Sequence, residues 1–191
     1  MKILVTGGAG FLGSNLCKKL LENEGNFVVC LDHLHSRKID NIRELLHYDR
    51  FKTINGDITE KIDIEVDQIY NAACPSTPKS YGKDFLKTFD TCIIGTKNLL
   101  ELAKKYNAKF LQFSTSEIYG TSSNCQQSEN ACGNVNTMGE KSCYNEGKRA
   151  AETLCYIYNK EYHVKTKVVR IFNTYGRNMS KDGRKSGTYF Y

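Results

Sequence analysis

Short apolar runs alternate with longer stretches of helical spacing along this chain. Lys2 to Thr6 predicts a first strand, and Phe11 to Asn23 a helix with Leu12, Leu16, Leu20 and Leu21 on one side. Asn26 to Leu31, Phe51 to Ile54 and Val66 to Ala73 predict strands two, three and four. A long helix follows from about Asp84 to Tyr106, although Phe85, Phe89, Ile93, Leu99, Leu100 and Ala103 keep the 3.6-residue period imperfectly. Lys109 to Ser114 predicts a fifth strand. Ser142 to Tyr162 predicts a helix with Ala150, Ala151, Leu154 and Ile157 facing inward, and Lys165 to Phe172 a sixth strand. This alternation predicts an α/β, Rossmann-like, doubly wound parallel sheet with helices on both faces.

Composition narrows the class without changing the fold. The chain has 191 residues, 40% of them apolar and 25% charged, which suits a folded domain rather than a disordered one. The N-terminal apolar run meets Gly7 and Gly8 too soon for a signal peptide, and no stretch has the length of a membrane span. A cytoplasmic location with no membrane partner is expected. Eight cysteines occur without a Cys-x-x-Cys pair, and Cys17, Cys30, Cys92 and Cys155 sit in apolar patterns, so free thiols are expected. His33, His35, His47 and His163 do not fall at zinc spacing, and no metal is expected. The net charge is +6, partly from Arg177, Lys181, Arg184 and Lys185. No aromatic residues interleave with these cations as nucleic-acid binding would favour, leaving a solvated loop or a contact to ligand phosphates.

The first strand runs into Gly7-Gly8-Ala9-Gly10-Phe11-Leu12-Gly13, with Gly7, Gly10 and Gly13 spaced as G-x-x-G-x-x-G before a helix. Glycine lets backbone approach a pyrophosphate closely, and the helix N-terminus offers free N–H groups to it. Asp32 ends the second strand nineteen residues after Gly13, where a carboxylate accepts from ribose hydroxyls and repels a 2′-phosphate. That favours NAD over NADP, with Arg37 and Lys38 pulling the other way. Asp57, after the third strand, is either an adenine contact or a turn residue.

Tyr144-Asn145-Glu146-Gly147-Lys148 holds Tyr-x-x-x-Lys, and residues four apart share a helix face. A cation near the phenol favours phenolate and is expected to lower the pKa of Tyr144, making it a base toward a sugar hydroxyl. The motif is common by chance; its weight comes from lying after strand five, downstream of a glycine loop. Ser114-Thr115-Ser116-Glu117 ends strand five, where open sheets bind ligands, so these residues are candidates beside the reacting alcohol, or a helix cap.

Five segments then carry a resemblance: VTGGAGFLGS from Val5, EVDQIYNAACPSTP from Glu65, STSEIYG from Ser114, GNVN from Gly133 with SCYNEGKRAAETLC from Ser142, and RIFNTYG from Arg170. They resemble the UDP-glucuronate decarboxylases, or UDP-xylose synthases, of the extended short-chain dehydrogenase/reductase family. The resemblance implies NAD-dependent oxidation at C4 of the sugar, loss of carbon dioxide, protonation at C5 and return of hydride. It implies Tyr144 as base with Lys148 as partner, and Thr115, Ser116 and Glu117 acting around C4 and C5. Gly10, Phe11, Leu12, Asp32, Asp57, Ile58, Ala72, Ala73, Thr91 and Thr174 would line the NAD site, with Arg184 a further cofactor contact and Asn173 near the UDP-sugar. A homodimer is implied.

The chain departs from the family at Asp90, Cys92, Asn71, Thr137 and Lys141, where Lys, Asn, His, Pro and Arg are usual. Asp90 reverses a charge that meets the substrate. Residues past Arg184 no longer track the family, whose members continue well beyond. The expected division is a 1–176 NAD-binding domain and a 177–191 start of the C-terminal substrate region, with most of the small substrate-binding domain missing. Two other readings stay open: a related nucleotide-sugar 4,6-dehydratase or 4-epimerase, and a non-catalytic NAD-binding remnant.

Overall fold

Residues 3 to 5 leave no side open to water: Ile3 and Val5 enter one core, Leu4 the other, and all three are fully buried. A strand buried on both faces needs a sheet covered on both faces. The computed structural model describes residues 1–34, 36–121 and 126–179. It has six parallel strands: β1 (Lys2–Thr6), β2 (Phe27–Asp32), β3 (Phe51–Asn55), β4 (Gln68–Asn71), β5 (Lys109–Thr115) and β6 (Thr166–Ile171). Their order is β3-β2-β1-β4-β5-β6, so the direction in which strands are added across the sheet reverses between β1 and β4. Each strand lies within two residues of its expected bounds.

Among the described residues, six α-helices accompany the sheet: α1 (Phe11–Leu21), α2 (Ser36–Ile42), α3 (Pro78–Tyr81), α4 (Phe85–Asp90), α5 (Thr96–Tyr106) and α6 (Ser142–Tyr162). Cys17, Leu21 and Ile42 from α1 and α2 join Ile3, Val5, Val28 and Cys30 on one face. Leu99, Leu100 and Ala103 of α5 and Cys155 and Tyr158 of α6 join Leu4, Val29, Ile69 and Phe110 on the other.

Two expectations about helix faces are corrected. The long helix is a rod of α4 and α5 joined by a π turn at Thr91–Gly95, which shifts the angular phase between its halves. Leu99 and Leu100 are therefore buried while Phe85 and Phe89 are exposed, together with Leu86 and Ile94. On α6 the buried seam is Tyr144, Lys148, Ala151, Cys155 and Tyr158. Ala150, Leu154 and Ile157, expected inside, are only half-buried. The seam was hidden because Tyr and Lys count as polar by type, yet their stems pack like hydrophobes.

Burial pushes the Cys155 thiol up from an ordinary 9.0 to about 12, with the Glu152 carboxylate adding to the rise. A group held neutral in the fold stabilises it fully below its unfolded pKa, and that contribution is lost as pH rises toward the folded value. Unfolding free energy is therefore expected to fall between pH 9 and about 12. In Cys155→Ala, urea titrations across that range should show a shallower fall; an unchanged slope would remove Cys155 as its source.

Candidate active site

Every expected site residue that the structure describes, apart from those on helices α1, α4 to α5 and α6, lies at or just beyond the C-terminal end of a strand, the rim where open parallel sheets bind ligands. At the reversal point, Gly7 leaves β1 with a φ of +67°. A side chain there would be strained, and its Cβ would sit 2.6 Å from the Ala72 carbonyl oxygen. Only glycine lets the loop after β1 lie against the exit of β4 at Ala72 and Ala73. Gly13 faces the Gly7 backbone just as closely and seats α1 against the loop.

α1 begins after Gly10 with no side-chain cap and no acidic residue in its first turn. Its first N–H groups face the loop, a donor set suited to a pyrophosphate. Phe11 and Leu12 are half-buried there. The buried Asp32 carboxylate accepts from the Ala9 N–H at 3.1 Å, so it braces the loop from the end of β2. The segment after β6 returns over α1: Asn15 donates to the Arg177 carbonyl at 2.9 Å, and Asn178 to the Ser14 hydroxyl at 3.0 Å.

Asp57 stands in the turn just after β3. It accepts from the Thr59 N–H at 2.8 Å, forms an ion pair with Lys87, and lies 3.1 Å from His33 Nε2. Burial would raise its carboxyl, but donation from Lys87, Thr59 and His33 outweighs that and holds it well below the usual carboxylate range. Ile58 beside it is buried.

At the end of β5, Thr115, Tyr144 and Lys148 come together. The Lys148 ammonium donates to the Phe113 carbonyl at 2.8 Å and lies 5.9 Å from the centre of the Tyr144 ring. Thr115 lies beside Tyr144, and Tyr81 stacks on its ring with centroids 5.5 Å apart. Burial raises the Tyr144 phenol, while Lys148 and Thr115 pull it down; the net direction is up. The sequence spacing predicted a net lowering, which desolvation overrides here. Lys148 is buried, which alone would lower its pKa, but Cys74, Cys92 and Tyr144 around it outweigh that and keep it charged.

Other expected residues stand further out. Ser116 is half-buried, and the exposed Glu117 pairs with Lys141 at 3.5 Å. Thr91 is buried, its hydroxyl donating to the Lys87 carbonyl at 2.7 Å, and Asp90 precedes it half-buried at the end of α4. Asn173 and Thr174 are exposed just past β6. Arg184 lies outside the described residues. Asn71 accepts from Thr6 at 2.7 Å and donates to Gln112 at 2.9 Å, in a buried chain beneath the site. Sequence reasoning did not find Tyr81 or Cys74 as neighbours of Tyr144 and Lys148. Cys74 lay within a recognised segment, but nothing local indicated its packing.

Residues 3–190 match the family described as "NAD dependent epimerase/dehydratase family". The chain is 48% identical over 185 residues to UDP-glucuronic acid decarboxylase 6 of Arabidopsis thaliana, covering 96% of this chain and 54% of that protein. It is 46% identical over 184 residues to UDP-glucuronic acid decarboxylase 1 of Xenopus tropicalis, covering 96% and 44%. The chain thus spans about half the length of these curated relatives. Its fold is similar to that of UDP-glucuronic acid 4-epimerase from Bacillus cereus, solved with UDP-glucuronic acid and NAD. That match has a TM-score of 0.84 and 36% identity, covering 95% of this chain and 60% of that one. Among the described residues, no helix is long and apolar enough to cross a membrane.

Proposed function

This chain belongs to the NAD dependent epimerase/dehydratase family, and on that premise we propose that it is the NAD-binding and proton-transfer part of a UDP-glucuronate decarboxylase. The reaction releases carbon dioxide from UDP-glucuronate and yields UDP-xylose through a 4-keto intermediate. The observation that carries this reading is the meeting of Tyr144, Lys148 and Thr115 at the end of β5, in a chain 48% identical to a plant enzyme named for that activity.

Gly7, Gly10, Phe11, Leu12 and Gly13 would hold the pyrophosphate of NAD, Asp32 the adenosine ribose, and Asp57 with Ile58 the adenine end. Ala72, Ala73, Thr91 and Thr174 would line the remainder, with Arg184 beyond them, and Tyr144 and Lys148 would meet the nicotinamide ribose. NAD held there would supply a hydride acceptor for C4 of the sugar and the hydride that returns to it. Tyr144 takes the C4 hydroxyl proton and later gives it back, Lys148 holds the phenolate charge, and Thr115 orients the phenol. The resulting β-keto acid loses carbon dioxide, and Ser116 and Glu117 serve at C5, where a proton must be added. Asn173 would sit against the UDP-sugar. Residues 1–176 form the NAD-binding domain and 177–191 begin the substrate region.

A homodimer in the cytoplasm completes the reading; exposed Phe85, Leu86, Phe89 and Ile94 on the α4–α5 rod support a helical interface. The 36% identity to a UDP-glucuronic acid 4-epimerase favours a second reading, epimerisation at C4 without loss of carbon dioxide.

The test is incubation of the chain with NAD and UDP-glucuronate, followed by mass spectrometry. UDP-xylose, or the 4-keto pentose preceding it, is the expected product. A product of unchanged mass but altered chromatographic mobility would replace the decarboxylase with the epimerase. NAD binding without any product would leave a non-catalytic module.

A further inference from the structure

The Cys74 and Cys92 sulfurs lie 3.0 Å apart, one on the loop after β4 and the other in the π turn. Cys92 is buried and held from behind: a Cβ at Gly147 on α6 would come within 2.9 Å of its own Cβ. Cys74 is half-buried and is the more open member of the pair. We propose that Cys74 and Cys92 are a modification site, a dithiol that a peroxide closes to a reversible disulfide at the rim of the active site.

The surroundings divide the labour between the two sulfurs. The hydrogen bond from Cys92 and the positive charge of Lys148 lower the Cys74 thiol against its burial. The same contact, with burial, raises Cys92. Cys74 is the more acidic of the two thiols, and loss of its proton leaves the sulfur that attacks a peroxide. The Cys74 thiolate attacks the O–O bond, forming a sulfenic acid and releasing hydroxide. The Cys92 sulfur then attacks the sulfenic sulfur, losing its proton as a second hydroxide departs. The protons released convert both hydroxides to water. Two thiols lose two electrons in all, and one peroxide gains them. The sulfurs need approach only from 3.0 Å to about 2 Å. Other thiols fit less well: Cys17 and Cys30 are sealed in the core, and burial raises the Cys143 thiol.

Closure would tie the exit of β4 to the α4–α5 rod. The test uses the full chain, reduced and then treated with increasing hydrogen peroxide, with free thiols alkylated and peptides mapped by mass spectrometry. The expected result is loss of two hydrogens at a Cys74–Cys92 cross-link that forms before the exposed Cys132 is oxidised, and that dithiothreitol reverses. In Cys92→Ser, Cys74 should instead proceed to sulfinic acid. Cross-linking of Cys74 to Cys143, earlier oxidation of Cys132, or over-oxidation of Cys74 in the parent chain without a cross-link would each overturn the proposal. This readout does not depend on the sugar chemistry.

Discussion

Tyr144→Phe is expected to keep its NAD affinity within a few-fold, since Lys148 still meets the nicotinamide ribose, and to lose about 10²- to 10⁴-fold of its turnover of UDP-glucuronate, the range that a positioned acid–base group supplies. The substitution removes only the phenol oxygen and keeps the ring stacked on Tyr81. The loss should therefore appear in kcat rather than in cofactor affinity. Retention of turnover to within tenfold would assign the proton to another group. A second readout needs no turnover. In an ultraviolet titration, the difference between parent and variant isolates the ionisation of Tyr144, expected above its ordinary 10.0 because burial outweighs the cation beside it. Since Lys148 pulls that ionisation down, Lys148→Met should move it further up. A downward move would contradict the electrostatics of the pair.

Glu152→Ala should lower the unfolding free energy by about 2 to 3 kcal/mol, measured by urea denaturation. Arg170 reaches the Glu152 carboxylate through two nitrogens, Nη2 at 2.9 Å and Nε at 3.1 Å, and Ser114 donates to the same group. Their side chains are 24% and 16% exposed, so the pair is substantially desolvated and its loss strands a guanidinium. The figure sits below that for a fully buried pair because Arg170 keeps Tyr119 at 3.0 Å and the Glu129 carbonyl at 2.7 Å. A change under about 1 kcal/mol would mean that water replaces the carboxylate at little cost. Ser114 precedes Thr115, so the same anchor fixes the strand end on which the Tyr144 partner stands.

The central strands β1 and β2 were legible because burial on both faces writes them as unbroken apolar runs, Ile3-Leu4-Val5 and Val28-Val29-Cys30-Leu31. The glycine loop and the Tyr144–Lys148 pair were legible because their geometry is local: a turn after a strand and one turn of helix. What escaped was either short or non-local. α2 and α3, of seven and four residues, carry too little periodicity to read. The thiol pair brings together residues 18 apart in sequence on different elements, and no spacing rule marks it. The Tyr144 pKa was misjudged because the lysine is visible four residues away, whereas desolvation belongs to the packed structure around it.

The π turn has a genetic consequence. Helices usually absorb the loss of one codon as a rotation of about 100°, which a surface helix tolerates. Between Thr91 and Gly95 the surplus residue already sets the phase of the rod, with Thr91, Cys92 and Gly95 buried and Gly95 closely packed on Ile58. Deleting one codon there would leave an ordinary α-helix with α4 and α5 still in phase, because five residues of π turn rotate about as far as four of α-helix. Within this rod, these five codons are where a reading-frame-preserving deletion would turn the two halves against each other least.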